Sequence, residues 1–178
     1  EQTGEFEETP DWVVGDAGGH GFYRVRYSEE LLDRLKGTLK EQLSSVEKFG
    51  LVNDTWAVTL AGLVSPIEYL SVIDLMRDER DVNIWATIIG SCHNLERILD
   101  DDQCDRLAER VRALVAPAVE DLGWSRKEGE NELESQLRGD LIAALGTIGE
   151  DKTCQQRARE LFARHEKAPE EIDRNIVP

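Results

Sequence analysis

Three histidines, three cysteines and a few clustered acids are the residues of this chain whose types could hold a metal or move protons. A zinc-binding helix needs two imidazoles one turn apart on one face, with a carboxylate between them as base. His20, His93 and His165 have no such partner. His165-Glu166-Lys167-Ala168-Pro169 begins the pattern, but Pro169 stands where the second His would be, and His93 is followed by Asn94. Cys92 and His93 are adjacent, with Cys104 nearby. Neighbours on a helix point in different directions and no fourth ligand presents itself, so a buried Cys beside a half-exposed His is the expectation. Asp100-Asp101-Asp102 with Asp105 lacks the spacing and the Gly of an EF-hand loop and reads as the acidic start of a helix. No nucleophile–His pairing and no phosphate loop is recognisable. The residues therefore predict no catalytic side chain and no metal site in this chain.

Other side chains could bind rather than react. Arg24 and Arg26 could take a peptide carboxylate, but pairing with acids where the amino-terminal segment meets the helices is the preferred reading. Trp56, Trp85 and Trp124 could line a groove; aromatics at helical spacing are more often core. Arg138 and Arg157 fall on predicted helices, where ion pairs with neighbours such as Glu134 or Asp151 would account for them.

The elements that must position these residues are mostly helical. Residues 12–14 are a short β-type run, a Gly-rich turn follows, and residues 22–27 alternate, with Tyr23, Val25 and Tyr27 on one face. Two strands joined by that turn form the expected hairpin, a remnant of a β-sandwich or a linker over residues 1–27. From Ser28 the period becomes helical. Ser28 caps a helix carrying Leu31, Leu32, Leu35, Leu39 and Leu43; Asn53 or Asp54 is expected to cap a second. Ser65-Pro66-Ile67-Glu68 is a strong helix start. Asp81 precedes a helix running to Leu99, and Asp100 opens a longer one that Pro117 is expected to kink. Further helices follow around residues 133–148 and 154–162, and Pro169 opens a short last segment. Seven or eight helices with short connections predict a mainly α domain, residues 28–178, built as an α-solenoid of antiparallel pairs of the HEAT or armadillo type.

The totals exclude several functions. The formal net charge is −16, from 21 basic and 37 acidic residues. Such a surface repels phosphate backbones and anionic lipids, so neither nucleic acid nor membrane is an expected partner. No apolar run approaches the ~18 residues of a membrane span. The polar residues 1–10 resemble no signal peptide. Cys92, Cys104 and Cys154 are widely spaced with no C-x-x-C pair, which suggests a reducing compartment, here the cytoplasm.

Several stretches together resemble the aminopeptidase N family of zinc metallopeptidases, in the helical carboxy-terminal domain also found in the endoplasmic-reticulum aminopeptidases. Gly21-Phe22-Tyr23-Arg24-Val25-Arg26-Tyr27 is similar to the strand that ends that family's small β-sandwich. Leu51-Val52-Asn53-Asp54-Thr55-Trp56-Ala57, Leu122-Gly123-Trp124, Leu137-Arg138-Gly139-Asp140-Leu141 and the stretch from Cys154 to Phe162 are similar to its helical landmarks. Lys48 and Asp16 depart from its usual residues. The resemblance implies a truncated, non-catalytic domain of an enzyme that removes amino-terminal residues from peptides. Zinc is then the cofactor of the parent enzyme, not of this chain, whose partners are the catalytic and β-domains of its own parent and the peptide substrate. The resemblance makes Arg138 and Arg157 candidate contacts for the far end of that peptide, and Tyr23, Arg24 and Arg26 candidate domain-junction residues. The rival reading is a free-standing α-solenoid scaffold for protein interactions.

Overall fold

The computed structural model describes residues 11–165, apart from the side chains of residues 38–41. Residues 1–10, the last four residues of the stretch begun by His165, and the segment opened by Pro169 lie outside the described residues. The chain is mainly α. Seven α-helices occur among the described residues: α1 (Glu29–Gln42), α2 (Ser45–Leu60), α3 (Pro66–Ile73), α4 (Val82–Glu96), α5 (Asp101–Leu122), α6 (Glu132–Gly146) and α7 (Lys152–His165). They fall into two compact units, residues 1–75 and 76–178.

Local chemistry explains where the helices start. Ser28 Oγ accepts from the Leu31 N–H at 3.3 Å, Ser65 Oγ from Glu68, and Asp81 Oδ1 from Asn83 and Ile84. Asp100 and Gln103 satisfy each other's backbone N–H groups, so the acidic cluster begins α5 as its spacing implied. The expected cap at Asn53 or Asp54 is overturned. Ser44 and Glu47 form a reciprocal capping box, α2 begins at Ser45, and both residues lie inside that helix. Pro117 is exposed and does not end α5, although its ring removes one helical N–H. The helix expected to reach Leu99 stops at Glu96, and Ile98 is left exposed.

The β-hairpin does not form: residues 12–14 and 22–27 are in no strand. A two-stranded ribbon is marginal alone in water, and side chains bond the peptide groups of Val25 and of Gly15 beside the turn. Gly15 donates to Tyr27 Oη at 2.9 Å, Tyr23 Oη donates to the Gly15 carbonyl at 2.7 Å, and the Val25 N–H goes to Asp54. Between these segments lies the 3-10 turn Ala17–Gly19, where Gly18 and Gly19 adopt φ of 74° and 68°.

In the first unit α2 packs on α3 and on the 3-10 turn. Leu51, Val52, Val58, Tyr69, Val72 and Ile73 are buried there, and Trp56 lies 5.1 Å from the Tyr69 ring at a 47° tilt. In the second unit α6 is the central element, packed on α4, α5 and α7. Its Leu137, Leu141, Ala144 and Leu145 bury a continuous stripe. Trp85 of α4 is wholly buried and its indole N–H donates to the Glu79 carbonyl at 2.9 Å. It is core, as its spacing suggested.

Candidate functional site

In the first unit Arg24 and the Val25 N–H meet a buried acid of α2. Asp54 is 8% exposed, on the face that also buries Leu51 and Val58. Its Oδ1 accepts from Arg24 Nη1 at 2.8 Å and its Oδ2 from the Val25 N–H at 2.9 Å. Arg24 thus pairs with an acid at the junction, as expected, while its own side chain stays 54% exposed. Arg26 is exposed. About two turns before Asp54, Glu47 accepts the Gly18 N–H as well as groups of Ser44. The bonds from Ser44 come first, then that from Gly18, in holding its carboxyl below the usual range. Burial raises the Tyr27 phenol, against the pull of its bond from Gly15. Beside these groups is a cleft of about 490 Å³ lined by Phe22, Tyr23, Val46, Phe49, Arg24 and Asp54. Phe22 stands fully exposed at it.

In the second unit the two candidate arginines part company. Arg138 of α6 has no exposed surface and forms an ion pair with Glu130, which is itself 5% exposed. Glu130 closes the loop between α5 and α6. Its other carboxylate oxygen accepts the Lys127 N–H at 2.9 Å, and its carbonyl accepts from Arg126 Nη2 at 3.3 Å. Lys127 Nζ ties the same loop back to the Asp121 carbonyl at 2.6 Å. Two glycines in the left-handed region, Gly123 at φ 76° and Gly129 at φ 79°, let this loop leave α5 and turn back. Arg157 of α7 is exposed and lies over the ring of half-buried Trp124, 4.8 Å from its centroid. Neither arginine takes the acid expected of it: Glu134 accepts at the start of α6, and Asp151 caps the Cys154 N–H. A ligand at the surface can reach Arg157, whereas Arg138 is enclosed.

The metal-binding residue types are dispersed. Among the described residues no three His, Cys, Asp or Glu come together as a metal would require. Cys92 is buried beside exposed His93, whose Nδ1 lies 3.0 Å from Glu96 Oε2. Cys154 is buried with its thiol 3.5 Å from the Ile142 carbonyl. Desolvation, then the Asp151 charge, push that thiol from 9.0 to about 11, so it is a poor ligand and a poor nucleophile. Burial and nearby acids raise Cys104 as well.

Asp54 and Glu130 are the organising residues that sequence reasoning missed. Asp54 keeps register with Leu51 and Val58, which marks it as inward-facing once α2 is known to start at Ser45. Glu130 sits in a charged run that reads as a solvated loop, and nothing in its spacing signals burial.

The profile of one protein family, described as the ERAP1-like C-terminal domain, matches residues 12–178. Aminopeptidase M1-A of Oryza sativa subsp. japonica is 29% identical over 152 residues, covering 83% of this chain and 17% of its own length. Aminopeptidase M1-D of the same plant is 31% identical over 153 residues, with the same two coverages, 83% and 17%. Puromycin-sensitive aminopeptidase of Caenorhabditis elegans is 27% identical over 150 residues, 82% of this chain and 16% of its own. The chain therefore spans less than a fifth of the length of the curated relatives it matches.

Proposed function

The chain belongs to the ERAP1-like C-terminal domain family, and from that premise we propose that it serves as the non-catalytic carboxy-terminal domain of a zinc aminopeptidase. The observation that carries this reading is a match along most of the chain to relatives named aminopeptidases. The zinc of the whole enzyme would be held by residues outside this chain. The domain caps the catalytic chamber as an α-solenoid of stacked helix pairs, and the chamber admits peptides rather than folded proteins. Its partners are the catalytic and β-domains of its own parent, met through Tyr23, Arg24 and Arg26, and the far end of the peptide. Exposure leaves that last contact to Arg157. Its odd number of widely spaced cysteines favours a cytoplasmic enzyme.

Two measurements test this. The purified chain, given aminoacyl-naphthylamides and zinc, is expected to show no turnover; chelator-sensitive hydrolysis would overturn the reading. Mixed with a separately produced catalytic portion of its parent, it is expected to form a complex at micromolar concentration. Failure to do so would favour a free-standing scaffold.

A further inference from the structure

The loop between α5 and α6, residues 123–131, carries Trp124, and Trp124 supports the exposed guanidinium of Arg157. A cation stacked on a ring is held by the ring's face, so its position follows wherever the ring is placed. The loop that carries the ring is fastened by charge. The loop is largely exposed and polar, yet Glu130 at its end is turned inward onto Arg138. The same carboxylate takes the Lys127 N–H, and the Glu130 carbonyl takes Arg126. A cavity of about 400 Å³ borders the loop, lined by Arg80, Asp121, Lys127, Glu130, Glu134 and Leu137. The loop therefore has room to relax if the pair is lost.

We infer that Glu130 and Arg138 are positioning residues, a buried ion pair that fixes the α5–α6 loop so that Trp124 holds Arg157 at the surface. Arg138 thereby takes part in peptide contact without touching the peptide, through Glu130, Trp124 and Arg157 in turn. This chain of action rests on the reading of Arg157 as a peptide contact, but its first two links can be tested without a peptide.

The experiment is proton–carbon NMR of the complete chain, following the Arg157 side-chain protons. Stacking over Trp124 gives them a ring-current shift, which Trp124→Leu should abolish while leaving the ion pair intact. Glu130→Gln and Arg138→Met are expected to remove most of that shift while the Trp85 indole N–H signal, bonded to Glu79, stays in place. Arg138→Lys, which keeps the charge, should restore part of it. If Glu130→Gln does not fold, Glu130→Asp serves, since a shorter carboxylate cannot span both Arg138 and the Lys127 N–H; a reduced shift is again expected. A folded variant of either kind with an unchanged Arg157 shift overturns the proposal. A peptide with a free carboxylate and its amidated twin are then titrated into wild type, Arg157→Gln, Glu130→Gln and the double variant. Equal, non-additive losses of affinity support both readings. Unchanged affinity in Arg157→Gln sinks the peptide contact and leaves the positioning result standing.

Discussion

Each unit has an ion pair that fastens an irregular segment to a helix, and in the two pairs compared the charges are reversed. In the first, the helix supplies the carboxylate, Asp54, and the segment supplies Arg24 and the Val25 N–H. In the second, the helix supplies Arg138, and the loop supplies Glu130. The deeper difference is water. Arg24 keeps 54% of its side chain exposed, so solvent takes over when its partner goes; Arg138 keeps none. A pair open to water is worth at most about 1 kcal/mol, whereas stripping one partner from an enclosed pair costs about 3–5 kcal/mol. The same kind of pairing therefore gives unequal consequence.

Four predictions break or sharpen that contrast, from the largest effect down. Arg138→Met or Glu130→Ala should lower stability by about 3–5 kcal/mol in urea denaturation, and the double change Glu130→Leu with Arg138→Met should recover most of the loss. Recovery is the decisive outcome, since an interaction that simply stabilised could not be replaced by apolar side chains. Asp54→Ala should cost about 1–3 kcal/mol, because it strands the Val25 N–H, while Arg24→Ala should cost less, because water reaches the Arg24 end of the pair and the Val25 N–H stays on Asp54. Equal effects of the two would refute the dominance of burial. Trp124→Leu should cost only about 0.5–1 kcal/mol, the usual value of an exposed cation–π contact.

The fourth prediction concerns pH and contrasts a depressed carboxyl of the first unit with a raised one of the second. Glu47 of the first unit has its carboxyl depressed below the ordinary 4.5. Its contribution is present above that value and is lost as pH falls through the folded value. Asp140 of the second unit is raised above 3.8, chiefly by burial, so its contribution is present in acid and lost as pH rises through the folded value. The Cys154 thiol follows the same rule at the other end: its contribution is full below pH 9.0 and lost by about 11. Amide exchange mapped along the chain should show acid loosening the attachment of Gly18 to α2, and alkali loosening the contact of α7 with α6. Alkylation of Cys154 at neutral pH should be much slower than that of an unfolded control.

Much of the helix framework was legible because its signals are local. Ser28, Ser65, Asp81 and Asp100 each sit one side chain away from the N–H groups they cap. The start of α2 was missed although Ser44 and Glu47 were in plain sequence, because Asn53-Asp54 carries a stronger local preference to interrupt a helix. The buried packing on either side of Asp54, with Arg24 and Val25 to receive its charge, overrides that preference. The hairpin failed for a related reason. Alternation at residues 22–27 specifies faces, not partners, and Tyr23, Tyr27 and Asp54 bond the peptide groups of Gly15 and Val25.

Of the candidate site residues, the sequence could name the arginines but not rank them. Arg138 and Arg157 look alike on their helices, and only the folded chain encloses one and leaves the other on Trp124.

What the sequence by itself determined is what depends on neighbours a few residues away: helix starts, and no His with a partner one turn along. It also carried the family resemblance, which is an ordered set of landmarks along the chain. What only the tertiary structure decided is which charges lose their water. Asp54 meets Arg24 across 30 residues, and Arg157 meets Trp124 from another helix. Desolvation is set by everything that packs around a group, and no local pattern encodes it.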